Sequence, residues 1–530
     1  MQNPRSHNPI PYYLFLTIIF GVFIFLPDTI YQPALSQGDH GRDLYAFNAT
    51  LNGETPYRDY LWFYGPLMPY YYAFFYKILG VSIATVLLGE IVLKILGGIV
   101  IFFIIRRLIS PLWAMLCTLW FWAYYPFFFY TYNHTGGIFF ILLTLYLIFR
   151  YIQDHQTKFL YFGLLAIFFL TFVKINTGIC TFAAFIVSIA LCDKINRILF
   201  SSRKLFYGTA IIALPLSIFL TYLLFVHNIP QECFPYIGSD QFDRKPLSYT
   251  FALFIYIIQS RVMYSLPTQL LGILVVLTTF KTASLLFPLA WSKQSQKPLF
   301  LFLLTLGVFY VLHLHEFLLS GIAYRLLWPQ LFSLLMMFII LSVGIQTLSR
   351  LFQNLLTLTL LLLIVLQIIP RYQAYPLITR PEQFLSIPKA GIFVSNPPEW
   401  IKTVTQTTNF LKNHLKSNET FFALPYEPLY YYLADKPSPT WQMAFFKFSN
   451  ISPDQEQQVI QDLEQKHINY IVLSNRSATT EEGLGILGGT HCVELGKYIL
   501  ENFKTIKKFG DMDNEPGWIW PHGIKILQRK

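Results

Sequence analysis

The sequence predicts an α-helical polytopic membrane protein with about 11 transmembrane helices, interfacial helices in its first outer loop and a C-terminal α/β periplasmic domain. Three observations predict this fold class. Hydrophobic residues make up 54% of the 530 residues and charged residues only 13%, about half the charged share of a soluble protein. The apolar residues fall in blocks close to the ~20 residues that a helix needs to cross a bilayer. The last part of the chain instead alternates short apolar strands with amphipathic helices.

Eleven apolar blocks are candidate membrane spans. They cover residues 12–27, 81–105, 112–130, 136–149, 159–173, 178–191, 205–226, 266–290, 299–313, 326–344 and 355–370. Lys and Arg are densest in the short loops on one side, among them Arg106, Arg107 and Arg150, which predicts that this side is cytoplasmic. The N-terminus then lies in the cytoplasm. Because the number of spans is odd, the C-terminus lies outside.

Two domains follow from this pattern. Residues 1–370 are predicted to form the transmembrane domain, with the first outer loop at residues 28–80. Residues 371–530, here called the tail domain, are predicted to form an extracytoplasmic α/β domain. The net charge of +11 comes mostly from short loops and not from one basic stripe, which argues against nucleic acid as a partner.

The tail domain has clear local signals. Apolar residues recur at helical spacing over residues 401–415, and Ser452 with Gln455 forms a capping-box pattern that predicts the start of a second helix. Short apolar runs at residues 421–424, 470–473 and 524–527 are typical of strands.

The first outer loop is the most informative stretch for function. Leu44, Phe47 and Leu51 share one face of a predicted helix that is expected along the membrane surface, and residues 70–79 predict a second interfacial helix. Asp39, just before the first of these helices, is either an N-cap or a general base that takes a proton from an acceptor hydroxyl. Asp43 lies one turn further on, as either a solvated surface charge or a partner of Asp39. Two carboxylates on one helix face could also hold a divalent cation.

Three short runs in this loop carry a resemblance to a known family. They are Asp39-His40, Gly53 to Asp59 (Gly-Glu-Thr-Pro-Tyr-Arg-Asp) and Gly65 to Tyr70 (Gly-Pro-Leu-Met-Pro-Tyr). In this order they resemble the polyprenyl-phosphate-sugar-dependent glycosyltransferases of the glycosyltransferase C superfamily. The likeness is greatest to the bacterial protein O-mannosyltransferase and aminoarabinose transferase group, glycosyltransferase family 39. That family usually has a second acid where this sequence has His40.

The resemblance implies an enzyme that moves a sugar from a polyprenyl-phosphate donor to a hydroxyl or amine of a lipid, glycan or protein acceptor, with inversion. It implies that this happens at the outer face of the bacterial inner membrane. Asp39, Asp43 and His40 are then the candidate catalytic residues. The candidate donor-phosphate ligands are Arg325, Arg42, Arg58 and Lys174. Arg325 stands in Tyr-Arg-Leu-Leu-Trp-Pro, which resembles an Arg-Tyr-Leu-Leu-x-x-Pro run of the family; alternatively, it is a snorkelling arginine.

Several alternatives remain at this stage. A polytopic lipid or solute transporter or flippase without transferase activity is one, and a membrane scaffold is another. A ligase that moves a whole lipid-linked glycan is a third. Glu90 and Lys94 lie four residues apart within the second predicted span and predict a structural ion pair. His134, in a short outer turn, is a candidate substrate contact. The 313–316 run predicts interfacial hydrogen bonding.

Overall fold

A computed structural model describes residues 10–124, 131–196, 208, 212, 216, 297–320, 325, 327–345, 349–372, 380–481 and 483–530. The predicted spans at 205–226 and 266–290 lie outside these residues, apart from Gly208, Ile212 and Leu216. The described parts of the other predicted spans are helical.

The N-terminal two thirds of the chain is a bundle of apolar helices. They are α1 (Ile10–Phe25), α2 (Asp39–Leu51), α3 (Leu67–Leu79), α4 (Ile83–Arg106), α5 (Pro111–Tyr124), α6 (Asn133–Asp154), α7 (Lys158–Val173), α8 (Ile175–Asn196), α9 (Lys297–His313), α10 (His315–Ser320), α11 (Leu327–Ile345) and α12 (Arg350–Tyr372). Among the described helices, four are long and apolar enough to cross a membrane, in α4, α6, α8 and α12. Several others are apolar but shorter, so the number of crossings stays a prediction.

The ion pair expected inside the second span is confirmed. In α4, the Lys94 Nζ lies 3.3 Å from the Glu90 Oε1 and 3.7 Å from a carboxylate oxygen of Asp28. The Thr135 hydroxyl of α6 donates a hydrogen bond of 2.9 Å to the same Glu90 oxygen. Because a lone charge at this depth is costly, the pairing is what stabilises both side chains in the apolar bundle.

The tail domain contains helices and two small sheets. Its helices are α13 (Pro398–His414), α14 (Pro428–Ala434), α15 (Pro453–Gln465) and α16 (Val493–Asn502). The strands within the described residues are β1 (Tyr31–Gln32), β2 (Phe384–Leu385), β3 (Ile392–Val394), β4 (Phe422–Leu424), β5 (Tyr470–Ser474), β6 (Phe503–Gly510) and β7 (Gly523–Arg529). One sheet has the order β4-β5-β7-β6, with β4 parallel to β5 and the other pairs antiparallel. The three strands and the two helices predicted here are confirmed, including the reciprocal Ser452–Gln455 capping box.

The tail domain shares its hydrophobic core with the first outer loop. Strand β1 of the loop pairs in parallel with β3 of the tail, and Phe47 and Trp62 of the loop belong to the same buried cluster as Trp400 and Ile526. Since such a core cannot be split by a bilayer, the loop and the tail domain lie on the same side of the membrane. Their contact therefore requires an even number of crossings between them, which the prediction of ten for this stretch satisfies.

The two loop helices differ in their surroundings. Most residues of α2 are buried, and α2 packs between α3 and α14, so it is enclosed by protein where the sequence had predicted a helix along the membrane surface. The reason is that α14 packs on α2, where Leu429 lies against Gly41 and the Tyr431 ring against Tyr45. Helix α3 keeps an exposed apolar stripe of Tyr70, Phe74 and Ile78, a pattern typical of an interfacial helix.

Candidate active site

The two candidate carboxylates meet through one guanidinium group. The Arg42 Nη1 lies 3.2 Å from the Asp39 Oδ1, while the Arg42 Nε and Nη2 lie 3.0 and 2.7 Å from the Asp43 Oδ1. Asp43 is fully buried, whereas 30% of the Asp39 side chain is exposed. Burial raises the pKa of Asp43 to about 6, although the adjacent Arg42 partly offsets this. Asp39 is thus the accessible carboxylate, and Asp43 orients the arginine.

Aromatic rings hold Arg42 in place. Its guanidinium carbon lies 5.6 Å from the ring centre of Trp62, 5.4 Å from that of Phe63 and 5.0 Å from that of Tyr64. These three consecutive residues precede Gly65, whose backbone N–H donates to the Val173 carbonyl at the end of α7. The predicted phosphate ligand Arg42 is therefore a buried, multiply held cation beside the candidate base.

A tyrosine of the tail domain completes this cluster. The Tyr426 hydroxyl donates to the Asp39 Oδ1 over 3.0 Å and accepts from the Arg42 Nη1 over 3.1 Å. Tyr426 is 5% exposed. Both hydrogen bonds to Asp39 therefore engage Oδ1. Among the residues that the structure describes, no hydrogen-bond partner is found for Oδ2.

His40 has a different setting from the two aspartates. Its Nδ1 accepts a hydrogen bond of 3.0 Å from the backbone N–H of Ser36 and lies 3.1 Å from the Ser36 hydroxyl. Its ring lies edge-on to Tyr132, and its Nε2 is 3.3 Å from the Gln32 side chain. These contacts tie the segment before α2 to the first turn of the helix. The catalytic role expected for His40 stays a prediction.

A second charged cluster lies at the ends of the bundle helices. Lys174, between α7 and α8, places its Nζ 2.7 Å from the Glu316 Oε1, and the Arg325 Nη1 lies 3.5 Å from the Glu316 Oε2. Asn176 and Thr177 of α8 donate to the same Oε1 over 2.7 and 3.3 Å. Glu316 is 1% exposed in its side chain. One buried carboxylate therefore faces two cations, Lys174 and Arg325.

Three aromatic residues connect the two clusters. The Tyr64 ring that packs against Arg42 lies 5.8 Å from the His134 ring, and His134 lies 5.5 Å from Trp328. The Lys174 Nζ lies 5.0 Å from the Trp328 ring centre. The contacts run without interruption from Arg42 to Lys174. One continuous series of contacts therefore joins four of the predicted site residues: Asp39, Arg42, Lys174 and Arg325.

Arg58 is placed apart from this region. It forms a 2.6 Å ion pair with Asp59, and half of its side chain is exposed. Its predicted contact with the donor phosphate stays a prediction.

The carboxylates do not fit the divalent cation that the sequence left open. The guanidinium of Arg42 already stands between Asp39 and Asp43, where a shared metal ion would bind. Within the described residues, no group of three or more His, Cys, Asp or Glu side chains is suited to hold a metal ion.

Two site residues were missed by sequence reasoning. Tyr426 carried no usable signal, because its contact with Asp39 joins positions 387 residues apart. Glu316 did carry one, since a carboxylate at the edge of an apolar block demands a positive partner. The expected hydrogen bonding of the 313–316 run is confirmed, but it extends to Lys174 and Arg325.

Part of the chain matches the model of a known protein family. Residues 64–223 match the family model for dolichyl-phosphate-mannose-protein mannosyltransferase. No curated protein sequence matches the chain.

Two solved structures of one protein show the same fold. ArnT from Cupriavidus metallidurans bound to undecaprenyl phosphate is similar with a TM-score of 0.54 at 11% identity, over 98% of each chain. Its apo form gives 0.55 at 11% identity, over 99% of this chain and 98% of that one. The arabinofuranosyltransferase AftD from Mycobacteria gives 0.48 at 12% identity, over 99% of this chain and 40% of that chain. The predicted resemblance to glycosyltransferases of the C superfamily is confirmed.

Proposed function

We propose that this chain is a membrane glycosyltransferase of the C type that moves a sugar from a polyprenyl-phosphate donor to an acceptor hydroxyl or amine. The proposal rests on one observation above others: the half-buried carboxylate of Asp39 pairs with Arg42, and an unbroken series of aromatic contacts joins Arg42 to the buried Lys174. The match to the dolichyl-phosphate-mannose family model and the fold of undecaprenyl-phosphate-bound ArnT support the donor class.

The charges of the two clusters suit the two ends of a transfer reaction. Asp39 and Asp43 against Arg42 leave one negative charge in excess at one end. At the other, two cations, Lys174 and Arg325, lie beside Glu316. A general base needs an anionic carboxylate, and a leaving phosphate needs cations close to it. Between them, the half-buried Tyr64 ring offers a flat surface of the kind on which a sugar ring packs.

The reaction then follows as a single displacement. The acceptor oxygen or nitrogen attacks the anomeric carbon and forms the glycosidic bond, while the Oδ2 of Asp39 takes the acceptor proton. The bond from the anomeric carbon to the phosphate oxygen breaks, and the polyprenyl phosphate leaves with its electron pair toward Lys174 and Arg325. One attack from the opposite face inverts the anomeric centre, so no second carboxylate is needed as a nucleophile. The phosphate is already anionic when it leaves and requires no acid.

The site is proposed to act at the outer face of a bacterial inner membrane. The tail domain and the first outer loop pack together, and we place both on the side where the lipid-linked sugar is used. The acceptor is a lipid, a glycan or a protein at the same surface. No soluble nucleotide takes part.

The test is sugar transfer by the purified full-length protein in lipid vesicles. Radiolabelled polyprenyl-phosphate mannose and polyprenyl-phosphate aminoarabinose serve as donors, and an inner-membrane extract supplies the three acceptor classes. Wild type is expected to release polyprenyl phosphate and label an acceptor. The Asp39→Asn variant is expected to be slower by about a hundredfold or more, because the general base is lost.

The matched control is Asp513→Asn, which makes the same change at an exposed turn of the tail domain and should leave turnover as in wild type. Full turnover by Asp39→Asn would show that Asp39 is not the base. Absence of label on every acceptor with both donors would contradict the proposed activity.

A further inference from the structure

We propose that Tyr426 of the tail domain is a positioning residue, which fixes the catalytic carboxylate of Asp39 so that one oxygen is left for the acceptor. This inference rests on the proposed function. It assigns to the tail domain a direct part in setting up the base, in addition to any part in binding the acceptor.

The hydrogen-bond geometry carries the argument. The Tyr426 hydroxyl has two partners, since it accepts from the Arg42 Nη1 at 3.1 Å and donates its proton to the Asp39 Oδ1 at 3.0 Å. Arg42 reaches the same oxygen directly over 3.2 Å. A closed triangle of contacts therefore holds Oδ1. The carboxylate is planar, so fixing one oxygen also fixes the direction of Oδ2.

The donor set explains why this hydroxyl is needed. Arg42 donates from its Nε and Nη2 to Asp43, so that only its Nη1 contacts Asp39 and Tyr426. Without the phenol, a single 3.2 Å contact would hold Asp39, and its χ1 and χ2 rotations would be limited much less. The rate of a catalysed reaction falls steeply when the catalytic side chain is not held in its productive orientation.

The backbone keeps Tyr426 in a fixed place. A Cβ on Gly38 would come within 2.7 Å of the Tyr426 ring, and a Cβ on Gly41 would lie 2.3 Å from the Leu429 backbone nitrogen. The Leu429 N–H donates to the Gln37 carbonyl over 3.1 Å. The two glycines thus let the segment around Tyr426 approach the start of α2 more closely than any other residue would allow.

A neighbouring tyrosine offers a matched comparison. Tyr432, in α14, is also fully buried, and its hydroxyl also bridges the tail domain to the first outer loop, where it lies 3.3 Å from the Tyr76 hydroxyl. Tyr432→Phe therefore removes the same kind of group from the same domain contact, but leaves Asp39 untouched. It separates a role in domain packing from a role at the base.

The experiment compares wild type, Tyr426→Phe, Tyr432→Phe and Asp39→Asn in the transfer assay described above, with thermal unfolding followed for each. Phenylalanine keeps the ring that packs on Gly38, so folding of the Tyr426 variant is expected. We expect Tyr426→Phe to lower kcat by about tenfold to a hundredfold, in line with the loss of one hydrogen bond to a charged group. Its KM for the donor is expected to stay within about twofold of wild type. Tyr432→Phe should keep the wild-type kcat.

Each other result has a definite meaning. Wild-type kcat in Tyr426→Phe, or an equal loss in both tyrosine variants, would overturn the positioning role. A rise in donor KM with unchanged kcat would also overturn it, because the hydroxyl would then act in binding alone. If wild type itself transfers no sugar, the proposed function fails, and that outcome is distinct from failure of the Tyr426 inference.

Discussion

Replacing Glu316 by glutamine tests the phosphate end of the site. Glu316 is the only carboxylate that the structure places within ion-pair distance of both Lys174 and Arg325, among the residues described. Glutamine keeps the shape of the side chain and removes its charge. In the absence of the lipid, Lys174 and Arg325 of the variant therefore lose the counter-charge that Glu316 supplies. A bound phosphate would supply that charge.

The expected magnitudes follow from the contacts. Removing one partner of a buried ion pair costs about 3–5 kcal/mol, and the Lys174–Glu316 contact of 2.7 Å has an almost fully buried carboxylate. Loss of a negative charge about 5 Å from a phosphate is worth about 3 kcal/mol at an effective dielectric constant of about 20. Screening and side-chain relaxation reduce this value. We therefore expect polyprenyl phosphate to bind Glu316→Gln about tenfold to a hundredfold more tightly than wild type.

The assay is thermal unfolding in detergent, with and without polyprenyl phosphate, together with a direct binding titration. Glu316→Gln should unfold several degrees below wild type, and the lipid should restore most of the difference. Glu90→Gln is the matched control, since it breaks the other intramembrane ion pair, in which Lys94 lies 3.3 Å from Glu90. That variant should lose stability which the lipid does not restore. Equal lipid affinity in wild type and Glu316→Gln would refute the placement of the phosphate beside Lys174 and Arg325.

Two further predictions concern the tail domain. Gly41→Ala should lower the free energy of unfolding by about 1–3 kcal/mol and slow sugar transfer, because the new Cβ meets the Leu429 backbone at 2.3 Å. The control is Gly307→Ala, where no atom of the described residues lies within 4 Å of the new Cβ. Equal unfolding temperatures of the two variants would contradict the prediction. Burial raises the pKa of Glu427 to about 8, against the opposing effects of Arg476 and Ser474. The folded protein therefore keeps a proton that the unfolded chain has lost, so wild type loses up to about 1.4 kcal/mol per pH unit between pH of about 4.5 and 8. Glu427→Gln avoids this loss, and its unfolding temperature should rise above that of wild type increasingly over this pH range and level off beyond it; a difference that is independent of pH would be the contrary result.

Local features of the chain were predictable because their causes are local. Helical spacing, the Ser452 cap and apolar strand runs each depend on a few neighbouring residues, and the structure has them within a few positions. The carboxylates of Asp39 and Asp43 could be placed on one helix side by the same logic. Arg42 was chosen as a cation of the same loop, although its contact with both acids was not foreseen.

Other features depend on contacts between distant parts of the chain. The enclosure of α2 requires α14, which is formed by residues nearly 400 positions later, and the amphipathic pattern of α2 alone is equally typical of a membrane-surface helix. Strand β6 and helix α16 were not predicted. Four of the eight residues of β6 are exposed Lys or Thr, so it lacks an apolar run and is held by pairing with β7.

The pairing of β1 with β3 means that the first outer loop can complete its folding only after the tail domain has been synthesised. Tyr31 emerges from the ribosome early, yet its partner Phe393 is synthesised only after the last apolar helix of the bundle. The backbone of Leu35 likewise needs the side chain of Asn396. The Leu35 N–H donates to the Asn396 Oδ1, and the Asn396 Nδ2 donates to the Leu35 carbonyl. The segment leading into α2 must remain unpaired throughout translation of the membrane helices. Nascent chains that stall before this point therefore carry an unassembled first outer loop, and under the proposed function sugar transfer begins only after the residues from Phe393 onward have been synthesised and have folded.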